Sequence, residues 1–293
     1  MKTYLECLPC FLNQALKAMD INNLSYADKE KAIREIMKQL SNIDLNKKPP
    51  EFARIIYNHL HEVTGNHDPY KEIKKRDNEH ATNALNKFKK LYDSSNDSLL
   101  IAVKMAIAAN IMDFAANSDY NIIHFIEESI GQKFAIDHYD KLKKDIQEAK
   151  SIIYLADNAG EVVFDKLLLE SIRKLNNCRI LLFVKGKPIV NDATEDDLRH
   201  IGIDEIPNLE VHKINTGFPN TGFLRESNEF ADILKDAHLI ISKGQGNYES
   251  LSELDANIYF LLIAKCKIIA RDMHVNIGNL VCKCNYRGGI ENE

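Results

Sequence analysis

Up to about Lys150, apolar residues recur every three or four positions, the period of an α-helix. Leu5, Leu8, Phe11, Leu12, Ala15, Leu16 and Met19 form one stripe, and Ile33, Ile36, Met37 and Leu40 form a second. Pro49-Pro50 opens a third helix through Phe52, Ile55, Ile56, Leu60 and Val63, since proline fits a first turn; Gly65-Asn66 closes it. Ala81, Ala84, Leu85, Phe88 and Leu91 make a fourth stripe. The stretch Leu99–Ala116 is apolar on nearly every side, the pattern of a helix buried at the centre of a molecule.

From Ser151 the period changes. Ser151–Ala156, Ile180–Val184, Leu209–Ile214, Leu239–Ser242 and Lys267–Ala270 read as strands. Helical patterns run between them, over Val162–Leu175, about Glu195–His200, Leu224–Leu234 and Asn257–Ala264. Strands joined by helical crossovers imply a mainly parallel sheet with helices on both faces. The chain thus divides into a helical part, residues 1–150, and an α/β part, residues 151–293.

Composition narrows the functional classes. Hydrophobic residues make up 45% of the 293, enough for a sizeable core. Lys and Arg number 38 against 43 Asp and Glu, a net charge of −5, which gives no reason to expect a nucleic-acid partner. Only 12 Gly and 7 Pro favour a helix-rich fold over a turn-rich one. No apolar run reaches the ~18 residues of a membrane span, and the charged N-terminus does not resemble a signal peptide. A cytoplasmic location away from the membrane is expected, with the six Cys as reduced thiols or metal ligands.

Parallel sheets bind ligands beyond the carboxyl ends of their strands. The first predicted strand there ends in Asp157-Asn158-Ala159-Gly160-Glu161, and the second is followed by Asn191-Asp192-Ala193-Thr194. Asp or Asn before a helix is the commonest cap. Two such pairs at consecutive strand tips also make a plausible hard-cation site, because adjacent tips can converge. The fourth strand ends in Lys243-Gly244-Gln245-Gly246-Asn247-Tyr248-Glu249, where two glycines allow close backbone approach to an oxyanion and Lys243 adds charge; a plain connector is the other reading. The turn after the first strand lacks the G-x-G-x-x-G of a dinucleotide site. Ala at 159 disfavours an aspartyl-phosphate mechanism, which needs a second Asp there. Asn110 and Asp113 share a face of the apolar helix as lining or structural polar groups.

Taken in order, these motifs resemble the metal-dependent damage-control phosphatases, the ARMT1-like family once called domain of unknown function eighty-nine. Cys7-Leu8-Pro9-Cys10, Asp68-Pro69-Tyr70 with Lys74 and Asn78, and Ala109-Asn110-Ile111-Met112-Asp113-Phe114 resemble its archaeal and bacterial branch. The resemblance implies a helical N-terminal region packed on a Rossmann-like three-layer α/β/α domain. It also implies divalent-metal-dependent hydrolysis of small phosphomonoesters such as sugar phosphates. Its metal ligands fall on Asp157, Asn158 and Asp192, and its phosphate-binding lysines on Lys243 and on Lys265, in a late helix-to-strand junction. The eukaryotic Arg-Thr-x-Lys signature is here Leu262-Ile263-Ala264-Lys265, so only the lysine is retained.

Manganese, magnesium, cobalt or nickel would suit such oxygen ligands. Glu161, one turn into its helix, would orient water or a ligand. Gly244, Gln245 and Asn247 would join Lys243, Lys265, Asn110 and Asp113 around the phosphate ester. Cys7 and Cys10 have the spacing of half a structural metal site, which Cys282, Cys284 or His274 could complete; packed thiols are the simpler reading. Two other functions are weighed: an adenosylmethionine-dependent carboxyl methyltransferase, an activity attributed to a eukaryotic relative, and a non-catalytic phosphate-ligand binding protein.

Overall fold

The computed structural model describes residues 1–110, 122–214, 233–234 and 237–285. The predicted helices form: α1 (Cys7–Ile21), α2 (Tyr26–Leu40), α3 (Pro49–Thr64), α4 (Lys71–Ser94) and α5 (Ser98–Ala109), then α6 (Ile122–Gly131). Gly65 ends α3 at φ 63°, a left-handed cap that costs glycine little. In α5, Leu99, Ala102, Val103 and Met105 through Ala109 are buried, as its all-round apolar pattern requires.

Seven strands form one sheet among the described residues: β1 (Ile136–Asp137), β2 (Ser151–Leu155), β3 (Arg179–Lys185), β4 (Leu209–Ile214), β5 (Leu239–Lys243), β6 (Ile258–Ile263) and β7 (Leu280–Asn285). Helices α7 (Tyr139–Glu148), α8 (Glu161–Leu175), α9 (Glu195–Ile201), α10 (Gln245–Leu251) and α11 (Lys267–Asp272) complete the described elements. The strand order is β1-β7-β6-β5-β2-β3-β4, and every pair is parallel except β6 with β7. Alternate residues enter opposite cores, the period of a pleated strand. Ile152, Tyr154, Ile241 and Leu261 join a cluster with α4–α9, while Ile153, Leu155, Ile240 and Phe260 join one with α10 and α11. Helices α1–α3 close a third cluster around Met19, Ile36, Phe52 and Ile56.

The last hundred residues depart from the sequence reading. Residues 257–264, expected as a helix, hold β6, and 267–270, expected as a strand, lie in α11. Every residue of β6 is buried, so its apolar run carries no two-residue alternation and cannot be told from a helix by period. Lys265 consequently follows a strand and precedes a helix, the reverse of the expected junction. Strand β7 had no sequence signal of its own; it pairs antiparallel with β6. Asp113 and most of the predicted 224–234 helix lie outside the described residues.

Candidate active site

From β2 the chain builds outward through β3 to β4, then returns to the other flank of β2 with β5 and β6. The sheet order therefore reverses between β2 and β5, and a crevice opens at the carboxyl ends of such strands. Four adjacent parallel strands deliver the candidate residues there: β6 is followed by Lys265, β5 ends in Lys243 and meets Gly244, β2 is followed by Asp157 and Asn158, and β3 ends in Lys185 ahead of Asp192.

Backbone bonds fix the two acidic tips together. Asn158 and Asp192 form an isolated antiparallel bridge. The Ala159 N–H donates to the Asn191 carbonyl at 2.8 Å, and the Ala193 N–H to the Asp157 carbonyl at 2.8 Å. The sequence-predicted trio Asp157, Asn158 and Asp192 is thus brought to one place. All three are nearly buried, between 4 and 9% exposed.

Asp157 Oδ2 accepts the Asn110 Nδ2 at 2.8 Å and the Asn158 Nδ2 at 2.9 Å. Asn110 Nδ2 also donates to Glu161 Oε2 at 2.6 Å, so α5 reaches over the sheet to tie both carboxylates. Gly244 faces the same carboxylate. A Cβ at Gly244 would lie 1.8 Å from Asp157 Oδ2, and its φ of +79° already disfavours any other residue. Burial first, then the neighbouring Glu161 and Asp192 charges, hold the Asp157 carboxyl well above the usual carboxylate range, against Lys265 and the Asn110 bond.

Lys243, expected to bind phosphate, is turned inward. It is fully buried and each of its three N–H groups is engaged: Glu161 Oε1 at 2.6 Å, Asp165 Oδ1 at 2.5 Å and the Ala106 carbonyl at 2.9 Å. Burial disfavours its charge, but Asp165 and Glu161 outweigh that and raise its pKa. Asp165 itself is pushed up to about 6 by burial and by Glu161, with Lys243 opposing.

The rest of that turn is likewise turned inward. The Gly244 N–H donates to the Leu261 carbonyl at 3.2 Å, and Asn247 Nδ2 donates to the Lys243 carbonyl at 2.8 Å. Gln245 bridges Glu249 Oε1, at 3.1 Å, and the Lys265 N–H, also at 3.1 Å. Of the expected phosphate ligands, Lys265 is left facing Asp157, partly exposed.

Two residues given no role from the sequence, Asp165 and Lys185, and one named only for the family resemblance, Asn78, stand beside these. Asp165, one turn beyond Glu161 on α8, was hidden by its place in an ordinary amphipathic pattern, although an i, i+4 acid pair was available as a signal. Lys185 is buried, with Nζ 3.8 Å from Asp192 Oδ2. Burial lowers it to about 8, with Asp192 and Asp157 opposing. Asn78 Oδ1 accepts the Gly160 N–H at 2.6 Å, while its Nδ2 donates to Asp197 at 3.1 Å. Lys74 completes that side, 3.1 Å from Asp68 and 3.7 Å from Asp197. A cleft of about 300 Å³ is lined by Asp68, Lys74, Asn78, Lys185 and Thr194 among others; Asp157, Asn158 and Asp192 are not on its walls, and Lys185 links it to Asp192.

Among the described residues no three His, Cys, Asp or Glu side chains are arranged to hold an ion by themselves. The donor set here is two carboxylates and an amide. Asn158 directs its Nδ2 at Asp157 and Glu161, at 2.9 and 3.4 Å, which turns Oδ1 the other way. Four buried carboxylates, Asp157, Glu161, Asp165 and Asp192, face two buried ammoniums, Lys185 and Lys243. By formal charge, four minus two leaves two negative charges among these buried groups, with the partly exposed Lys265 outside the count, and a hard divalent cation would neutralise that excess. The residues fit the group.

The thiols do not converge in the expected way. Cys282 and Cys284 pack in the core cluster of α4–α9, with Asp137 and His138 near Cys282. Half-buried Cys7 packs against the opposite cluster, near Cys266 and Glu249, and burial pushes its pKa up. Half-buried Glu249 is pushed up to about 7 by burial, against the Gln245 bond and the N-terminal ammonium. Its folded pKa thus exceeds its ordinary 4.5, so its contribution to stability is complete below about 4.5 and is lost as pH rises through 7. Glu249→Gln is expected to melt near the wild type at pH 5 and above it at pH 8. Parallel melting curves across that range would refute the assignment.

An acidic tip pair at the switch point of a mainly parallel α/β sheet, with lysines around it, is the layout of a ligand-binding α/β protein. Residues 3–281 match the damage-control phosphatase ARMT1-like domain, and the chain belongs to that family. It is 33% identical to a damage-control phosphatase of Pyrococcus horikoshii over 97% of this chain and 99% of that one. Against a damage-control phosphatase of Archaeoglobus fulgidus it is 33% identical over 79% and 81% of the two chains. A crystal structure of the domain-of-unknown-function-89 protein of P. horikoshii superposes with a TM-score of 0.86 at 32% identity, covering 97% of this chain and 99% of that chain. The protein is a phosphatase of mixed α/β fold. No helix of the described residues is long and apolar enough to cross a membrane.

Proposed function

We propose that the protein hydrolyses small-molecule phosphomonoesters with a divalent cation held by Asp157, Asn158 and Asp192. The observation that carries this reading is the two-charge excess of buried carboxylate at the switch point. Manganese, magnesium, cobalt and nickel all suit two carboxylates and an amide oxygen. When bound, the cation supplies Lewis acidity and neutralises phosphoryl charge.

The chain's own residues do the positioning. Asn110 fixes the rotamers of Asp157 and Glu161 together. Glu161, fully buried, orients Asn110 and Asn158 rather than meeting the ester itself. Lys265, on the other side of Asp157, takes a phosphate oxygen. The 300 Å³ cleft takes the alcohol portion of the ester, with charged and amide side chains among the residues that line it.

A panel of sugar and other small phosphate esters, assayed with each of the four cations and after EDTA, tests this. Phosphate release that requires a cation supports it. Thermal stabilisation by adenosylmethionine with no phosphate release would favour the methyltransferase. Stabilisation by phosphate esters without turnover would favour a binding protein.

A further inference from the structure

The geometry points to Lys185 as the phosphate-holding cation on the β3 side of the site, the role that the sequence assigns to Lys243. This deepens the phosphatase reading and rests on it. Lys243 cannot serve, because Glu161, Asp165 and Ala106 take its three N–H groups and none of its surface is exposed. Lys185 ends the strand on the other side of β2, one residue further along the register than Lys243, so that the pleat turns it to the opposite face. It is the last residue of β3, and its backbone N–H is fixed to the Ala193 carbonyl at 3.0 Å. A bridge to Thr194 clamps it further. Its side chain lines the cleft, and its Nζ lies 3.8 Å from Asp192 Oδ2. An anion entering from the cleft toward Asp192 therefore meets this ammonium. Lys265 stands across Asp157 on the opposite flank, so the two lysines bracket the acidic tips.

A lysine in this place acts in opposite directions on the two ligands. It attracts a phosphate dianion, and it repels a cation held by Asp192. A side chain that merely props the loop would weaken both together. Isothermal titration of the full chain separates these cases, first with manganese alone, then with inorganic phosphate in the presence of manganese. Lys185→Met is expected to weaken phosphate binding about 10- to 100-fold, the loss of one charge-assisted hydrogen bond. Manganese should bind that variant as tightly as the wild type or a few-fold tighter. Lys185→Arg should restore most of the phosphate affinity. Lys185→Gln carries the same comparison should the Met variant not fold. Unchanged phosphate affinity in the uncharged variants overturns the assignment, and so does parallel loss of manganese and phosphate. A wild type that binds manganese but no phosphate would overturn the phosphatase reading and this inference together.

Discussion

Asp157→Asn should lose cation binding and at least about 1,000-fold in phosphatase activity while remaining folded, because the charge that attracts the cation and sets the reacting geometry is gone. The metal-free variant should melt no lower than the metal-free wild type. Burial and the adjacent Glu161 and Asp192 charges already disfavour ionised Asp157, so a neutral isostere relieves that repulsion. The amide oxygen can still accept from Asn110 and Asn158, as Oδ2 does at 2.8 and 2.9 Å. Differential scanning fluorimetry with and without manganese gives the clearest signature. The wild type should gain stability on adding the cation, and the variant should not. Full activity together with an undiminished manganese-induced shift would remove Asp157 from the site.

Lys243→Met should produce the largest loss of stability. It leaves Glu161 and Asp165 as buried carboxylates without their counter-ion, a situation that typically costs about 3–5 kcal/mol. For a chain of this length the melting temperature should fall on the order of 10 °C. The sign with pH is also fixed. Asp165 is raised to about 6 in the folded protein, above its ordinary 3.8, so its ionisation already opposes folding as pH rises through that window. Without Lys243 the carboxyl is raised further. The deficit relative to wild type should therefore be small near pH 5 and grow toward pH 8. A deficit independent of pH would mean that the loss comes from packing and not from charge.

These two residues also show what the chain's letters could and could not reveal. The acidic pairs were legible as candidates because two of them at consecutive strand tips can converge, although each alone reads as a helix cap. Their convergence follows from the adjacency of β2 and β3. The Gly244 turn was legible as a place of close approach, but the oxyanion it receives is the protein's own Asp157 carboxylate. Direction was the missing information for Lys243. A lysine at a strand tip can face the crevice or turn under the following helix, and Glu161, Asp165 and the Ala106 carbonyl from α5 together hold it in the second position. Lys185 also ends its strand, two strands over and one residue further along the register, and its letter gives no hint that it lines the cleft. The exchange of helix and strand after residue 256 has a different cause: a strand buried on both faces shows no alternation.

Helix α5 gives the catalytic crevice two of its fixed points, the Asn110 amide on Asp157 and the Ala106 carbonyl on Lys243. Asn158 also bonds Asp157, and Glu161 and Asp165 also hold Lys243, but only α5 brings these two contacts from outside the α/β part among the described residues. The sheet and its strand tips are consequently not a transplantable module: excised at residue 150, they would retain every acidic ligand yet lose the groups that aim them. Any graft of this chemistry onto another scaffold has to carry that helix with it.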